Sequence, residues 1–412
     1  MRRAGTTLLA GAATLIVAGC SSPGGEAAPT WVPSPALGSR VEGPGVQLSP
    51  IVPVPSAPGG NGPGGGTASN GGRGSSSSSA TKKIDPLVVA THLTAPVGLT
   101  MMIDGSALVG ERTTGRIVRV QPVAGQPVRT MRTLHGIDAS GGGGLLDIAL
   151  SPTYDEDNLI YAYITTRTDN RIVDFTLTGP VTPVLTGIPK GKTGNTGRIA
   201  FGADGNLYVG TGDAGVPTRA ADPASLAGKV LRITDIGEPA PGNPTASSPV
   251  WTSGHHEVDG LCLVPRSDTV FEVERTTATR AAEVNLLAGG DFFGWPTNAG
   301  TVRRPAAELP ATTRDPGGCA VRRGQLWVTS LDGKSLLAGS LLASRTGTLS
   351  VGKFSTFLKN RYGRLKTVVA APDGALWLTT SNRDGHGKPA ADDERVIRYV
   401  PNSASGSGKS PA

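Results

Sequence analysis

Apolar and polar positions along this chain fall into short runs, punctuated throughout by glycine, proline and aspartate, and helical periodicity is nearly absent. From Val97 to Val400 one grammar recurs six times: an apolar strand, a turn with Asp or Gly, then a second apolar strand. The copies are "VGLTMMIDGSALVGER" from Val97, "GLLDIALSPTYDEDNLIYAYIT" from Gly144, "GRIAFGADGNLYVGTGD" from Gly197, "GLCLVPRSDTVFEVER" from Gly260, "GCAVRRGQLWVTSL" from Gly318 and "LKTVVAAPDGALWLTTS" from Leu365. Several run on into a third strand, as in "GRIVRVQ", "GKVLRIT" and "RVIRYV". Copies begin roughly 50 residues apart, the interval of a four-stranded propeller blade. Asp-Gly pairs at 104–105, 204–205 and 373–374 supply the positive φ that a tight hairpin needs. The pattern predicts an all-β fold, a six-bladed β-propeller. An array of two-sheet sandwiches would not explain so regular a repeat.

Outside the repeats the pattern vanishes. The opening "MRRAGTTLLAGAATLIVAGC" carries two arginines and an apolar run from Leu8 to Ala18. That run is well short of the ~20 residues that span a bilayer as a helix. Residues 1–19 therefore read as a signal peptide. The segment closes on "VAGC", Val17 to Cys20, the form of a bacterial lipobox, in which the Cys20 thiol takes a diacylglyceryl group. Two or three acyl chains, at about 0.8 kcal/mol per buried CH₂, hold a protein on a membrane. An ordinary secretory signal with a chance cysteine is the other reading, but "CSSPGG" opens a polar linker as a tether should. Residues 20–84 are dominated by Pro, Gly and Ser and cannot bury enough surface to offset the entropy of ordering. Residues 402–412 read as a disordered tail. The expectation is a propeller over residues 85–401, lipid-anchored on the outer face of the cytoplasmic membrane.

Charge and cysteine content narrow the partners. The formal net charge of +7 falls to +5 once Arg2 and Arg3 leave with the signal peptide. The remaining charges alternate in sign without a dense basic block, so nucleic acid is not an expected partner. Cys262 and Cys319 are left after lipidation, with no CxxC or Cys/His spacing for zinc. They stand two and one residues after the strand-opening glycines of successive copies. Inner strands of adjacent blades lie side by side, so a disulfide is expected in an oxidising compartment; two separate buried thiols remain the alternative.

The landmarks "GGLLDIALSP", "GRIAFGADGNLYVGTGD", "DPASLAGKVLRI", "EVNLLAGGDFFGWP" and "VVAAPDGALWLTT" occur in one order over about Val97 to Val400. Together they resemble the glucose/sorbosone dehydrogenase family, soluble quinoproteins that oxidise aldoses with pyrroloquinoline quinone (PQQ) and calcium. At closer range "LSPTYDEDNLIYAYITTRTDNRIV" and "TGIPKGKTGNTG" resemble a group of mycobacterial envelope lipoproteins. The family resemblance implies a propeller with the quinone in a pocket on its central face. It also implies a histidine base, three residues before the glycine of a Gly-Arg pair, that takes the proton from the anomeric hydroxyl. Here that pair is Gly197-Arg198, and the base position holds Gly194, which has no side chain to accept a proton. The family's glutamine before "GGLL" falls on Gly142. Its Arg, Asn and Gln in "GHRNPQGL" become His256, Glu257 and Asp259. PQQ carries three carboxylates, and a partly buried anion needs cationic or donor partners. Glu257 and Asp259 are expected to repel it. The acidic stretch before "VN" keeps Glu283 but has Ala282 for the aspartate, which thins a calcium site that wants six to eight oxygens.

Other chemistry is sparse. "GHHEVDG" gathers His255, His256, Glu257 and Asp259; adjacent histidines diverge on an extended chain, so one or two at most share an ion. His255, Glu257 and Glu283 are the candidate metal ligands, against a polar loop that meets solvent or ligand. His92 and His135 stand alone, His386 lies in a polar loop, and no Gly-x-Ser-x-Gly elbow is present. Asp213 borders the cofactor pocket in the family and also suits a turn cap. The expected face therefore comprises Gly142, Gly194, Arg198, Asp213, His255, His256, Glu257 and Asp259. The sequence points to a dehydrogenase-like scaffold without quinone catalysis and without a cofactor, which binds an envelope glycan, a lipid-linked precursor or a protein. The competing readings are a PQQ- and calcium-dependent aldose dehydrogenase with a relocated base, and a structural protein whose central face is plugged by side chains.

Overall fold

Each of the six repeats forms the two inner strands of one antiparallel sheet, in a computed structural model that describes residues 85–276, 281–298, 300–345 and 347–401. The expected signal peptide, Cys20, linker and tail lie outside the described residues. The innermost strands run Pro96–Met101, Leu145–Leu150, Gly197–Phe201, Glu257–Leu263, Pro316–Arg322 and Leu365–Ala370. Each touches the next, and the last touches the first, so they close a ring around an axis. We number the blades one to six in that order. The expected six-bladed propeller is the observed fold.

The Asp-Gly turns work as their sequence requires. Gly105, Gly205 and Gly374 adopt φ of 80°, 76° and 83°. In each turn the aspartate accepts the amide two residues on: Ser106 at 3.1 Å, Asn206 at 3.0 Å and Ala375 at 2.8 Å. An arginine of the third strand then pairs with that aspartate, as Arg119 with Asp104, Arg232 with Asp204 and Arg398 with Asp373. One device thus fixes the hairpin register in blades one, three and six.

Apolar faces of successive sheets pack into six clusters, one per seam between blades. Glycines at the inner strands let the seams close. A Cβ on Gly197 would drive into the Tyr163 ring, and one on Gly260 would lie 2.8 Å from the Cys319 sulfur. In the seam between blades four and five, Cys262 and Cys319 form a disulfide with their Cα atoms 5.5 Å apart. The ring is locked at blade six, whose outermost strand comes from the other end of the domain. Val88–Ala90 pairs with Val396–Tyr399, Val88 opposite Ile397 and Ala90 opposite Val396.

Candidate ligand site at the central face

The entrances of the inner strands and the loops that feed them surround a cavity of about 1000 Å³ at one end of the axis. Its floor is charged. Arg198, almost fully buried, donates from Nε to the Asp259 carbonyl at 2.7 Å and holds Nη1 3.9 Å from Asp147 Oδ1. Its Nη2 is buried without a hydrogen-bond partner. Asp147 accepts the Ile148 and Ile199 amides at 3.0 and 3.1 Å. Burial pushes its carboxyl up to about 6, against the pull of Arg198. Arg198 also lines a second cavity of about 460 Å³ deeper along the axis, so its side chain borders both chambers.

A chain of alternating charges runs along the rim across blades four to six. Lys366 Nζ lies 3.1 Å from Asp259, Arg275 reaches Glu257 at 3.5 Å, Asp259 at 3.8 Å and also Asp315, and Arg364 joins Asp315 at 2.9 Å to Asp384 at 2.7 Å. This corrects the expectation that Glu257 and Asp259 make the site repel anions. Both carboxylates face the cavity, but each has a cation beside it. Burial still raises the Glu257 carboxyl, with Arg275 opposing.

The loop before Gly197 is held by Asn195. Its Oδ1 accepts the Gly191 amide at 2.9 Å, and its Nδ2 donates to the Gly141 and Gly191 carbonyls, both at 2.8 Å. Gly194 lines the cavity in the left-handed region, φ 67°. A Cβ there would lie 2.8 Å from Asp213 Oδ1 and from the Gly215 amide nitrogen. Position 194 therefore has neither the backbone nor the room for a side chain.

Of the expected face, Gly142, Gly194, Arg198, Glu257 and Asp259 line the cavity, whereas Asp213, His255 and His256 do not. Asp213 caps its own turn, accepting the Gly215 amide at 2.8 Å and the Trp295 indole at 3.0 Å. His256 packs against Trp295 with its ring tilted and donates from Nδ1 to the Arg275 carbonyl, 3.1 Å away. His255 turns the other way, fully buried against Phe293. The expected ligand set of His255, Glu257 and Glu283 is corrected too, because Glu257 points to the cavity and pairs with Arg275. His255 instead meets Glu272 and Glu274, with ligand atoms within 4.8 Å of one another. The signal for this pair was in "TVFEVER": two glutamates two residues apart, on one face of a strand covered on both sides. His92, expected to stand alone, and His386, expected in a solvated polar loop, are both exposed and line the cavity.

A closed ring of six sheets with a charge-lined chamber at one mouth defines a six-bladed propeller with a cavity on its axis. The chain belongs to the glucose/sorbosone dehydrogenase family, whose model matches residues 93–388. It is similar to the PQQ-bound aldose sugar dehydrogenase of Streptomyces coelicolor, 38% identical over 76% of this chain and 97% of that one, with a TM-score of 0.70. Quinoprotein glucose dehydrogenase B of Acinetobacter calcoaceticus is 28% identical over 54% of this chain and 55% of its own length, so the chain spans about half of that relative. Aldose sugar dehydrogenase YliI of Escherichia coli is 26% identical over 60% of this chain and 76% of its own.

The quinone that the family implies makes two demands of the residues present. Its carboxylates need donors: Arg112, Arg275, Lys366 and Arg383 already face protein oxygens, and Lys192 is a further cation at the wall. Arg198 Nη2 and Arg275 Nε, both on cavity-lining residues, are buried without a hydrogen-bond partner. Sugar oxidation also needs a proton acceptor beside the substrate, and position 194 excludes a side chain. The position that the family uses for its base therefore carries no side chain in this chain.

Proposed function

We propose that this protein is a ligand-binding member of its family, which takes an anionic, hydroxyl-rich envelope ligand in the central cavity without quinone chemistry. Glycans and lipid-linked glycan precursors of acidic character have that chemistry. The observation that carries the reading is the Gly194 position, walled by Asp213 and Gly215 while the chamber itself is retained. Arg198, with a free buried N–H, supplies a charge-assisted bond to a carboxylate or phosphate, and the rim carboxylates accept from sugar hydroxyls. The "VAGC" motif supports a lipid tether at Cys20 that holds the domain at the outer face of the cytoplasmic membrane.

Calorimetric titration of PQQ with calcium, beside acidic oligosaccharides, tests this reading. It expects no PQQ heat at tens of micromolar, and acidic-glycan binding that weakens about tenfold or more in Arg198→Ala. Micromolar PQQ binding with aldose-dependent dye reduction would overturn it. That outcome would favour a second reading, a PQQ-dependent aldose dehydrogenase with His92 or His386 as base, supported by the two imidazoles at the cavity wall. Under it, dye reduction is lost in His92→Ala or His386→Ala.

A further inference from the structure

Blade four encloses a cluster of ionisable groups that the central cavity does not use. His255 lies just before the innermost strand, and Glu272 and Glu274 lie on one face of the neighbouring strand Val270–Arg275. His255 and Glu272 have no exposure, and Glu274 has 3%. His255 Nδ1 points between the carboxylates, 3.5 Å from Glu274 Oε2 and 3.9 Å from Glu272 Oε2, and makes no hydrogen bond. Glu272 Oε1 is also buried without a partner. The groups around this pocket of charge are ordered. Thr252 Oγ1 holds His255 Nε2 at 2.8 Å, and Asn285 Nδ2 donates to Glu272 at 2.9 Å and to Glu274 at 3.3 Å. The His256 amide donates to Glu274 Oε2 at 3.1 Å.

A cation between two buried carboxylates side by side relieves their repulsion, to which Glu283 and Asp259 add at Glu272. Arg275, on the same strand, is directed to Glu257, Asp259 and Asp315 instead. Metal-bound imidazoles and carboxylates are held by outer hydrogen bonds of the kind that Thr252 and Asn285 supply. If Nε2–H donates to Thr252, the Nδ1 lone pair is the one left facing the carboxylates. Ligand atoms about 2.0–2.2 Å from one ion stand roughly 3.3–3.6 Å apart in tetrahedral geometry. The two histidine–carboxylate separations, 3.5 and 3.9 Å, lie close to that, and all the ligand atoms lie within 4.8 Å of one another.

We propose that His255, Glu272 and Glu274 bind one divalent transition-metal ion, zinc or manganese, as a structural site inside blade four. One imidazole and two carboxylates neutralise a divalent ion and suit these metals; calcium wants six to eight oxygens, which this buried set does not offer. The ion would join the segment entering blade four to the blade's second strand. That segment carries Glu257 and Asp259 into the central cavity. The site stands independently of what the cavity binds.

The test uses the full chain, stripped with chelator, reloaded with Zn²⁺ or Mn²⁺, desalted and assayed for metal by mass spectrometry. The proposal expects about one equivalent retained, a thermal midpoint raised by roughly 4 °C at hundredfold excess over Kd, and at least 100-fold weaker binding in His255→Ala and Glu272→Gln. Failure to retain either metal overturns it, as does retention of a full equivalent by both variants or retention of calcium alone. Where the variants do not fold, zinc K-edge absorption on the wild-type chain decides. One nitrogen and oxygen neighbours at about 2.0–2.2 Å support the site, and any sulfur neighbour overturns it.

Discussion

Asp147 and Gly194 show how single residues set the character of the cavity floor. The Asp147 carboxyl, ordinarily titrating at 3.8, is pushed up to about 6 by burial. Between those two values the folded chain holds a proton that the unfolded chain has released. Its contribution to stability is therefore fully present below the ordinary value and is lost as pH rises through about 6, amounting to roughly 3 kcal/mol. Asp147→Asn should gain on the wild type by about that amount between pH 4 and pH 7 in denaturant melts. A difference that stays flat with pH would show that Asp147 does not titrate in this window. Sequence told which residue stands at the base position, because "TGNTGR" can be read against a motif. It could not tell that Asp213 and Gly215 close the space beside Gly194, since those contacts come from a loop some twenty residues on. Nor could it separate His255 from His256. Adjacent side chains on an extended strand must diverge, but only the packing of Phe293 and Trp295 decides which one goes inward.

Among the elements, those with local signals were legible and those fixed by distant partners were not. The Asp-Gly hairpins and their third-strand arginines are local, and they placed blades one, three and six. Blade five has no such turn, and its strand Ser335–Ala343 pairs with both Leu349–Val351 and Ser355–Phe357, a branch that apolar patterning does not reveal. The cysteine pair was readable because both residues keep nearly the same place in successive repeats. At a sequence separation of 57, their cross-link restrains the unfolded chain by about 4 kcal/mol in the loop-entropy account. Replacing both, as Cys262→Ala with Cys319→Ala, should lower unfolding free energy by about 2–4 kcal/mol. Amide exchange should then quicken first in the blade four–five seam. Equal acceleration around the whole ring would contradict a seam-specific role.

For the whole molecule, closure is the decisive fact, and it was the part least visible in advance. The short "VVA" strand precedes the first repeat and reads as nothing in particular, yet it completes the last blade. Val89 is buried with Trp377 and Val396 in the cluster that joins blades six and one. Val89→Asp would bury an unpaired charge there and should destabilise the domain by about 3 kcal/mol or more, seen as a lower denaturant midpoint. Ile103→Asp, at an exposed position in the first turn of blade one, should leave it within about 0.5 kcal/mol. Closure has a further consequence for biosynthesis. Val396–Tyr399 are nearly the last domain residues to leave the ribosome, and they are the partners of the first strand. A nascent chain with five finished blades still carries two unpaired edges, so its ring stays open until the domain's last strand has emerged. The domain's final dozen residues are what release it from the hazards of a half-made sheet.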